Sequence, residues 1–423
     1  MLIIGLKVSM NKSKYAAYLF DKIKNLTFSN PGVTRQTYGK GENLTHKFLI
    51  KEVKEFADTI TIDYGGNFIV TIQGINKNKN IIIGSHLDSQ NHGGNFDGLA
   101  GVIMGICLLK NFKSKHIKPK FNVSVMGIRG EESCWFPYSY IGSKIALGSF
   151  DKKLLSELVR SDTGKNLKYH IDKSGFNSNA IALKKTKINS KEIIAFIEPH
   201  IEQGPVLEKN KISLGIVTGI RGSFRFRNAR CIGKYLHSGA TPIDYRRDAV
   251  LATSMLVNEM NEYWKKELKN KKDLTITFGE FFTDKEEHSF AKSSGLVNFC
   301  VDIRSNSTNS LKKAKKILFK KIQRIEKITK TNFDLGKETN SEPALMNNRL
   351  INKFKHSANK SKIKSLVMAS GAGHDASVFS NNKIPSAMLF IRNQHGSHNP
   401  KEHMHISHFM DVLKVLEDSI INF

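Results

Sequence analysis

The sequence predicts an α/β protein of two domains, with a mixed or mostly parallel sheet in the larger domain. The chain has 423 residues, which exceeds what one hydrophobic core usually serves. Short apolar runs rich in Ile, Val or Phe alternate with helical patterns, as in proteins whose strands are buried on both faces. The interval between residues 221 and 330 has a different pattern, which indicates a separate unit.

Four apolar runs are predicted to be buried strands of the larger domain, because each is short and bounded by polar residues. These runs are Asn80–Gly84, Asn122–Ile128, Ile193–Ile197 and Ile384–Ile391. A further segment, Leu99–Leu109, is apolar almost throughout. Such a segment is expected of a helix that packs in the middle of a domain.

The interval from Arg221 to Lys330 is predicted to form a compact α+β unit inserted into the larger domain. Its hydrophobic periodicity indicates a strand, a helix, two strands and a second helix. In order, these elements are Ser223–Ile232, Asp248–Lys269, Leu274–Phe282, Gly295–Ile303 and Leu311–Lys330. The larger domain is then discontinuous and consists of residues 1–220 and 331–423.

The chain is strongly basic, with 66 Lys and Arg against 38 Asp and Glu and a formal net charge of +28. Such an excess would suit a nucleic acid or a membrane surface. However, most of it is lysine scattered along the chain, and the densest block, Leu311–Lys330, has the single apolar stripe of a solvated helix. We therefore predict no nucleic-acid or membrane partner, and we interpret the positive field as suited to a small anionic substrate.

Cysteine usage and hydropathy bear on the compartment. The four cysteines have no paired spacing, which argues against a disulfide framework and a thiolate metal site. No apolar run approaches the ~20 residues of a membrane-spanning helix. The opening segment MLIIGLKVSM is too short for a signal-peptide core and lacks a small-residue cleavage site. These features predict a cytoplasmic protein with reduced thiols.

Side chains that can bind metals follow each predicted strand at the point where the strand ends. They are His86 and Asp88, then Glu131 and Glu132, then Glu198, His200, Glu202 and Gln203, and finally His395 and His398. Ligands of open α/β sheets bind beyond the carboxyl ends of the strands, so one shared site is expected. Imidazoles and carboxylates without thiolates suit zinc, manganese or cobalt.

Two aspartates near the first strand have expected roles at this site. Asp97 lies in a glycine-rich segment just before the apolar helix, from which its carboxylate can point into the crevice. Asp88 follows His86 by two residues, and its carboxylate can hydrogen-bond the imidazole and fix its tautomer.

Seven segments occur in the order typical of one enzyme family. They are GSHLDS, GGNFDGLAG, GEES, IEPHIEQGPVLE, LHSGATPIDYRRDA, SGAGHDA and HGSHNPKE. The similarity spans roughly residues 81–403. The chain resembles the zinc-dependent amidohydrolases that include N-carbamoyl-L-amino-acid hydrolases, β-ureidopropionases and allantoate amidohydrolases. These enzymes form a branch of the di-zinc aminoacylase and carboxypeptidase superfamily.

The resemblance implies a phosphorylase/hydrolase-like catalytic domain with two divalent metal ions, zinc or else manganese or cobalt. It also implies that the inserted domain is a lid through which the protein forms a homodimer. By motif match, the metal ligands would be His86, Asp97, Glu132, His200 and His398. Asp97 would bridge the two ions, His86 and His200 would bind one of them, and Glu132 and His398 would bind the other.

The resemblance also implies roles in catalysis and substrate binding. Glu131 matches the general base, which takes a proton from a metal-activated water and returns it to the leaving nitrogen. His237 matches a lid histidine that stabilises the negative charge on the hydrolysed carbonyl, usually in the other subunit. Gln203, Arg304 and His374 match positions of the substrate pocket, and Arg304 would bind a substrate carboxylate through its planar guanidinium.

Two alternative functions stay open. An aminoacylase or dipeptidase is disfavoured because His200 stands where true peptidases of the superfamily have a carboxylate. A basic nucleic-acid-binding protein on an inactivated hydrolase fold is disfavoured by the full set of ligand types. After the paired glutamates, Ser133, Cys134 and Trp135 replace the glycine, small residue and arginine of many relatives. The substrate is therefore left open between N-carbamoyl amino acids, allantoate and ureidoglycolate.

Overall fold

The computed structural model describes residues 10–423, and its contacts divide the chain into two compact units. The larger unit comprises residues 10–218 and Leu345–Phe423, and the smaller unit is Gly219–Ala344. The first nine residues of the predicted domain 1–220, with most of the apolar opening segment, lie outside the described residues. Among the helices that the structure describes, none is both long and apolar enough to cross a membrane.

The strands are numbered here in chain order. They are β1 (Phe28–Ser29), β2 (Gly32–Val33), β3 (Thr59–Ile62), β4 (Phe68–Ile72), β5 (Asn76–His86), β6 (Phe121–Ile128), β7 (Ile193–Ile201), β8 (Leu214–Ile220), β9 (Gly222–Ile232), β10 (Leu236–His237), β11 (Thr275–Thr277), β12 (Phe281–Thr283), β13 (Lys292–Ser293), β14 (Leu296–Ser305), β15 (Asn332–Asp334), β16 (Glu338–Ser341), β17 (Ala344–Leu345), β18 (Ser365–Ser370) and β19 (Ser386–Ile391).

The helices are numbered in the same way. They are α1 (Lys12–Thr27), α2 (Lys40–Val53), α3 (Leu99–Ser114), α4 (Ile141–Ala146), α5 (Leu154–Glu157), α6 (Leu167–Lys173), α7 (Ser178–Ala182), α8 (Val206–Asn210), α9 (Ala249–Lys269), α10 (Thr308–Thr329), α11 (Asn348–Lys360), α12 (Ala376–Asn381) and α13 (Ile406–Ile421), with 3-10 turns at Ser190–Glu192 and Ile243–Tyr245.

A nine-stranded mixed sheet forms the centre of the larger unit, in the order β17-β8-β19-β7-β5-β6-β4-β3, with β18 paired to β8. The four strands β19, β7, β5 and β6 are parallel to one another, and antiparallel strands flank them. These four are the strands predicted from the apolar runs, so the prediction of an α/β fold with a mixed sheet is confirmed. Because they are parallel, their carboxyl ends lie at one edge of the sheet.

Helix α3 is packed as its apolar sequence predicts. It lies against β5, β6 and β7 on one side and contacts α1 and α13 on the other. Nearly every side chain from Leu99 to Phe112 is buried, at roughly 1.5–3 kcal/mol for each large apolar side chain. The helix therefore fixes the loop that precedes it, which carries Asp97, at the carboxyl edge of the sheet.

The smaller unit is an antiparallel sheet in the order β11-β14-β9-β15, with β12 paired to β14 and β16 to β9. Helices α9 and α10 cover one face, where residues such as Leu256, Val301 and Leu318 form a core. The predicted strand Leu274–Phe282 is interrupted and forms the two short strands β11 and β12. The unit ends at Ala344 and not at residue 330, because β15 and β16 both pair with β9.

Candidate metal centre

Two buried histidines and an aspartate meet at the carboxyl ends of β5 and β7. The Nε2 atoms of His86 and His200 lie 3.4 Å apart. Oδ1 of Asp97 lies 3.1 Å from Nε2 of His200 and 3.7 Å from Nε2 of His86. The three side chains form one of the groups whose ligand atoms lie close enough together to hold a metal ion.

The tautomers of both histidines follow from the backbone carbonyls that they contact. Nδ1 of His86 lies 3.1 Å from the carbonyl oxygen of Asp88, and Nδ1 of His200 lies 2.8 Å from that of Ile201. A carbonyl oxygen only accepts, so each Nδ1 carries a hydrogen and Nε2 is the nitrogen of each ring that is left to bind a metal ion. The two Nε2 atoms and a carboxylate oxygen of Asp97 therefore converge in an arrangement that could hold a cation.

A second group of ligands shares the same aspartate. Nε2 of His398 lies 3.2 Å from Oδ2 of Asp97 and 3.2 Å from Oε1 of Glu132. The other oxygen of Glu132, Oε2, accepts a hydrogen bond of 2.6 Å from the side chain of Gln90. Asp97 thus offers one oxygen to each group, which is the arrangement of a carboxylate that bridges two ions.

The electrostatics of both groups favour positive charge. Burial alone would raise the pKa of Asp97, but the surrounding imidazoles of His200, His398 and His86 hold it well below its usual value. Hydrogen bonding to Asp97 and Glu132 raises the pKa of His398 to about 11. Burial alone would lower the pKa of His86, but the carboxylates around it raise that pKa well above its usual value. The site therefore attracts cations strongly.

A glycine leaves room beside the first group. Gly98 has a φ of +66°, and a Cβ atom on it would lie 2.5 Å from Nε2 of His86. Any other residue at this position would fill the space next to the ligand nitrogen. With donors from imidazole and carboxylate and none from a thiolate, the residues fit zinc, manganese or cobalt.

Asp88 fixes the loop that carries the paired glutamates. Its Oδ1 accepts a hydrogen bond from the backbone N–H of Glu131 (3.1 Å), and its Oδ2 accepts from that of Glu132 (3.2 Å) and from the hydroxyl of Thr37 (2.8 Å). For His86, the carbonyl of Asp88 makes a shorter contact than its carboxylate, which lies 3.4 Å away. The predicted role of this side chain toward His86 is therefore secondary to its hold on the glutamates.

The sequence comparisons agree with this geometry. The family described as Peptidase family M20/M25/M40 matches residues 82–422. The chain belongs to that family. It is 29% identical to the N-carbamoyl-L-amino-acid amidohydrolase of a Pseudomonas species over 92% of this chain and 93% of that protein. It is 30% identical to the allantoate amidohydrolase of Escherichia coli, covering 91% of each. The predicted resemblance to these amidohydrolases is confirmed.

The fold is shared with a solved structure as well. An amidase of the hydantoinase/carbamoylase family from Burkholderia multivorans superposes with a TM-score of 0.87 over 97% of both chains, at 24% identity. At this identity the likeness shows the fold alone. The roles of individual residues therefore depend on the geometry in this M20/M25/M40 chain.

Glu131, the predicted base of this family member, lies beside the candidate metal ligands and is almost fully buried. Burial raises the pKa of its carboxyl group well above the usual value, and the nearby carboxylates of Glu132 and Asp375 add to the effect although His86 opposes it. Such a group holds a proton more readily than an exposed glutamate does. That property suits an acid and base that shuttles one proton.

Two of the predicted substrate residues lie at the metal centre itself. The ring of His374 packs with its centroid 4.4 Å from that of His200, and its Nε2 lies 2.9 Å from Oγ of Ser370. Burial, and then the positive field of His200, lower the pKa of His374 well below its usual value. The side-chain nitrogen of Gln203 lies 3.0 and 3.2 Å from the two carboxylate oxygens of Asp97.

His237 and Arg304 belong to the smaller unit. His237 is exposed at the end of β10, and its Nδ1 accepts hydrogen bonds from the backbone N–H groups of Gly239 (3.2 Å) and Ala240 (3.1 Å). Arg304 donates from Nε and Nη2 to Oδ2 of Asp302 at 2.9 and 2.7 Å. The predicted site residues therefore fall into two sets: the metal ligands, Glu131, Asp88, Gln203 and His374 in the larger unit, and these two in the smaller unit.

Sequence reasoning missed several residues that support the site. They are Arg35, Thr37, Gln90, Asp375 and Glu402, all of which bond to ligands, to their backbone or to neighbouring loops. Glu198, which follows the third predicted strand, also supports the site and accepts from the hydroxyl of Ser85 at 3.0 Å. Burial raises the pKa of Glu198 and of Asp375 to about 7. Asp375 and Glu402 lie within the matched motifs, so the motifs themselves were the available signal. Arg35 and Thr37 precede all seven motifs.

Proposed function

We propose that the chain is a metal-dependent amidohydrolase, which hydrolyses the C–N bond of a ureido or amide group in a small substrate that bears a carboxylate. The observation that carries this proposal is Asp97, whose two oxygens face two separate groups of ligands. His86 and His200 would hold one divalent ion, and Glu132 and His398 would hold the other. Relatives named for N-carbamoyl amino acids and for allantoate support a ureido group over a peptide bond.

Glu131 and Glu132 would have different roles, Glu131 as the base and Glu132 as a metal ligand. When bound, the two ions supply Lewis acidity that activates a water and polarises the scissile carbonyl. Glu131 would accept the proton of that water and deliver it to the departing nitrogen, and its burial and raised pKa favour holding the proton between the two steps. Asp88 holds the backbone N–H groups of Glu131 and Glu132, so that one carboxylate stays with the metal site and the other stays beside it.

His237 has the tautomer that an oxyanion donor needs. Its Nδ1 accepts two backbone N–H groups, so the hydrogen of the neutral ring is on Nε2. We propose that this N–H donates to the carbonyl oxygen as negative charge develops there, and that it does so across a homodimer formed through the smaller unit. Sedimentation analysis tests the dimer, and a strictly monomeric active enzyme would contradict it.

Arg304 would bind the carboxylate of the substrate. Its guanidinium already makes two hydrogen bonds to the carboxylate of Asp302, and Arg225 donates to the other oxygen of Asp302 at 3.2 Å. Within this group of two arginines and one aspartate the formal charge is positive, which suits an anionic group of the substrate. Gln203 and His374 would line the pocket, His374 as a neutral ring because its pKa is low.

The positive charge of the chain supports the same class of substrate. A net charge of +28 raises the local concentration of small anions and accelerates their association. Carbamoyl amino acids, allantoate and ureidoglycolate are all small carboxylates. The proposal therefore needs no polyanionic partner.

The deciding experiment measures the release of ammonia and of free amino acid by metal-stripped protein that has been reconstituted with zinc, manganese or cobalt. The panel contains N-carbamoyl amino acids, allantoate and ureidoglycolate, with N-acyl amino acids and dipeptides as the competing class. We expect ureido substrates to release ammonia only after reconstitution. Turnover that survives complete metal removal, or a clear preference for dipeptides or acyl amino acids, would refute the proposal.

A further inference from the structure

Two buried ionisable side chains bond the backbone of Asp97, one at its carbonyl and the other at its N–H group. Arg35 is fully buried, and it donates from Nε to the carbonyl oxygen of Leu87 at 2.7 Å and from Nη2 to that of Asp97 at 3.3 Å. Oε1 of Glu402 accepts from the N–H groups of Phe96 at 2.7 Å and of Asp97 at 3.1 Å. The peptide groups before and after Asp97 are thus both held by buried side chains.

Arg35 and Glu402 each connect Asp97 to a different candidate ligand. Besides the carbonyl of Asp97, Arg35 bonds the carbonyl of Leu87, the residue directly after His86, so it connects Asp97 to the end of β5. Glu402 lies in the same loop as His398, so it connects Asp97 to the segment that carries the second histidine. We call the position at His86 and the position at His398 the two half-sites. Each is connected to the backbone of Asp97 by a different side chain.

Neighbouring residues hold Arg35 and Glu402 in the positions from which they bond Asp97. The backbone of Arg35 pairs with Ser89, since each N–H bonds to the other residue at 3.0 Å. A Cβ atom on Gly94 would lie 2.1 Å from Cδ of Glu402, so the side chain of Glu402 fits only because residue 94 is glycine. This contact accounts for one glycine of the GGNFDG segment.

Neither side chain is fully satisfied by its hydrogen bonds. Among the described residues, Nη1 of Arg35 and Oε2 of Glu402 are buried atoms without a hydrogen-bond partner. Burying an ionisable group with an unused donor or acceptor costs stability. Such a cost is expected where the group serves the geometry of a site more than it serves the stability of the fold.

We propose that Arg35 and Glu402 are positioning residues that set the two half-sites independently, Arg35 for the ion at His86 and Glu402 for the ion at His398. The proposal rests on the proposed two-metal site. Its distinctive consequence is that the loss of Arg35 or of Glu402 should weaken the binding of one ion and leave the binding of the other unchanged.

The test is calorimetric titration of metal-stripped protein with Zn²⁺, in which His86→Ala and His398→Ala identify which binding event belongs to which half-site. We expect Glu402→Met to raise the Kd of the ion at His398 by about 10- to 100-fold and to leave the other near the wild-type value. Arg35→Met should do the reverse. Glu402→Gln keeps an oxygen for the two N–H groups and should restore most of the affinity.

Further variants separate positioning from general damage. Gly94→Ala displaces Glu402 without changing its chemistry, and it should weaken the same ion as Glu402→Met even if that variant does not fold. Glu267→Met removes a buried carboxylate of the smaller unit, which bonds Lys313 at 2.8 Å, and should alter neither Kd. Unchanged Kd values in Arg35→Met and Gly94→Ala, or equal weakening of both ions by each variant, would overturn the inference. A wild-type protein that binds fewer than two ions would instead contradict the proposed function.

Discussion

Replacing Asp88 with asparagine tests whether the loop of the paired glutamates is held as the structure indicates. The carboxylate of Asp88 accepts from the N–H groups of Glu131 and Glu132 through different oxygens. Asparagine keeps the shape but has only one oxygen. Because Oδ2 of Asp88 accepts from both Glu132 and Thr37 whereas Oδ1 accepts from Glu131, we expect the amide NH₂ group to face the N–H of Glu131 and the bond to Glu132 to remain. Losing a buried hydrogen bond to a charged acceptor costs about 1.5–3 kcal/mol.

The loss of this hydrogen bond should lower kcat if it displaces Glu131. At ~1.4 kcal/mol per tenfold change, about 1.5–3 kcal/mol corresponds to a fall in kcat of roughly 10- to 150-fold. Metal content should stay near wild type, because the contact between Asp88 and His86 is shorter through the backbone carbonyl than through the side chain. Thr37→Val is the matched control, since it removes one bond to the same carboxylate and leaves both N–H groups paired.

The assay is ammonia release by protein of verified metal content. A kcat of Asp88→Asn within about twofold of wild type would refute the reasoning, because at ~1.4 kcal/mol per tenfold it would mean that the lost bond costs well under 1 kcal/mol. A large fall accompanied by loss of metal would also contradict it, since Asp88 would then act on the ligands and not on the base.

Three further predictions concern single residues. Glu131→Gln should retain both ions in metal analysis and lose roughly 10²–10⁴-fold in kcat, and a near-normal rate would remove Glu131 as the base. His237→Ala should reduce kcat by about 10²–10³-fold with unchanged metal content, whereas unaltered kinetics would deny it an oxyanion role. Burial lowers the pKa of His170 to about 4 from an unfolded value of 6.5, so only the unfolded chain binds a proton between these values and the free energy of unfolding should fall as the pH drops from about 6.5 to 4. Denaturant titrations should show a smaller fall for His170→Gln, and parallel curves would contradict this prediction.

The central sheet and most of the candidate metal ligands at its edge could be predicted because they depend on local patterns. A strand buried on both faces produces a continuous apolar run, and the polar residue that ends the run marks the edge of the sheet. His86, Glu132 and His398 were all found in this way. Asp97 was found because a glycine-rich turn leads into an apolar helix.

The end of the smaller unit could not be predicted for the opposite reason. Strands β15 and β16 have three and four residues, and their sequences, NFD and ETNS, contain almost no apolar residues. They are strands because they extend the edge of a sheet that already exists, with β9 as their partner. Such short strands form because of their tertiary pairing, and their sequences have no hydrophobic periodicity that would predict them.

Arg35 and Glu402 show a second limit. Their bonds to Asp97 join residues that are 62 and 305 positions apart in the chain. Charged residues are usually exposed, so a single sequence gives no reason to place Arg35 in the interior, and for Glu402 the signal is its position in the motif HGSHNPKE. Only the folded arrangement shows that both side chains bond the backbone of Asp97.

The role of Arg304 can be separated from catalysis by choosing the substrate. Arg304→Lys keeps the charge but loses the second hydrogen bond to a carboxylate, which corresponds to about 1.5–3 kcal/mol and a rise in KM of roughly 10- to 150-fold. Because the substrate carboxylate does not change during the reaction, kcat should stay nearly constant. A substrate whose carboxylate is converted to a neutral amide should already bind weakly, and Arg304→Lys should not weaken it further. If the substitution lowers kcat and leaves KM unchanged for the acid, Arg304 acts in the transition state and its assignment to the substrate carboxylate is wrong.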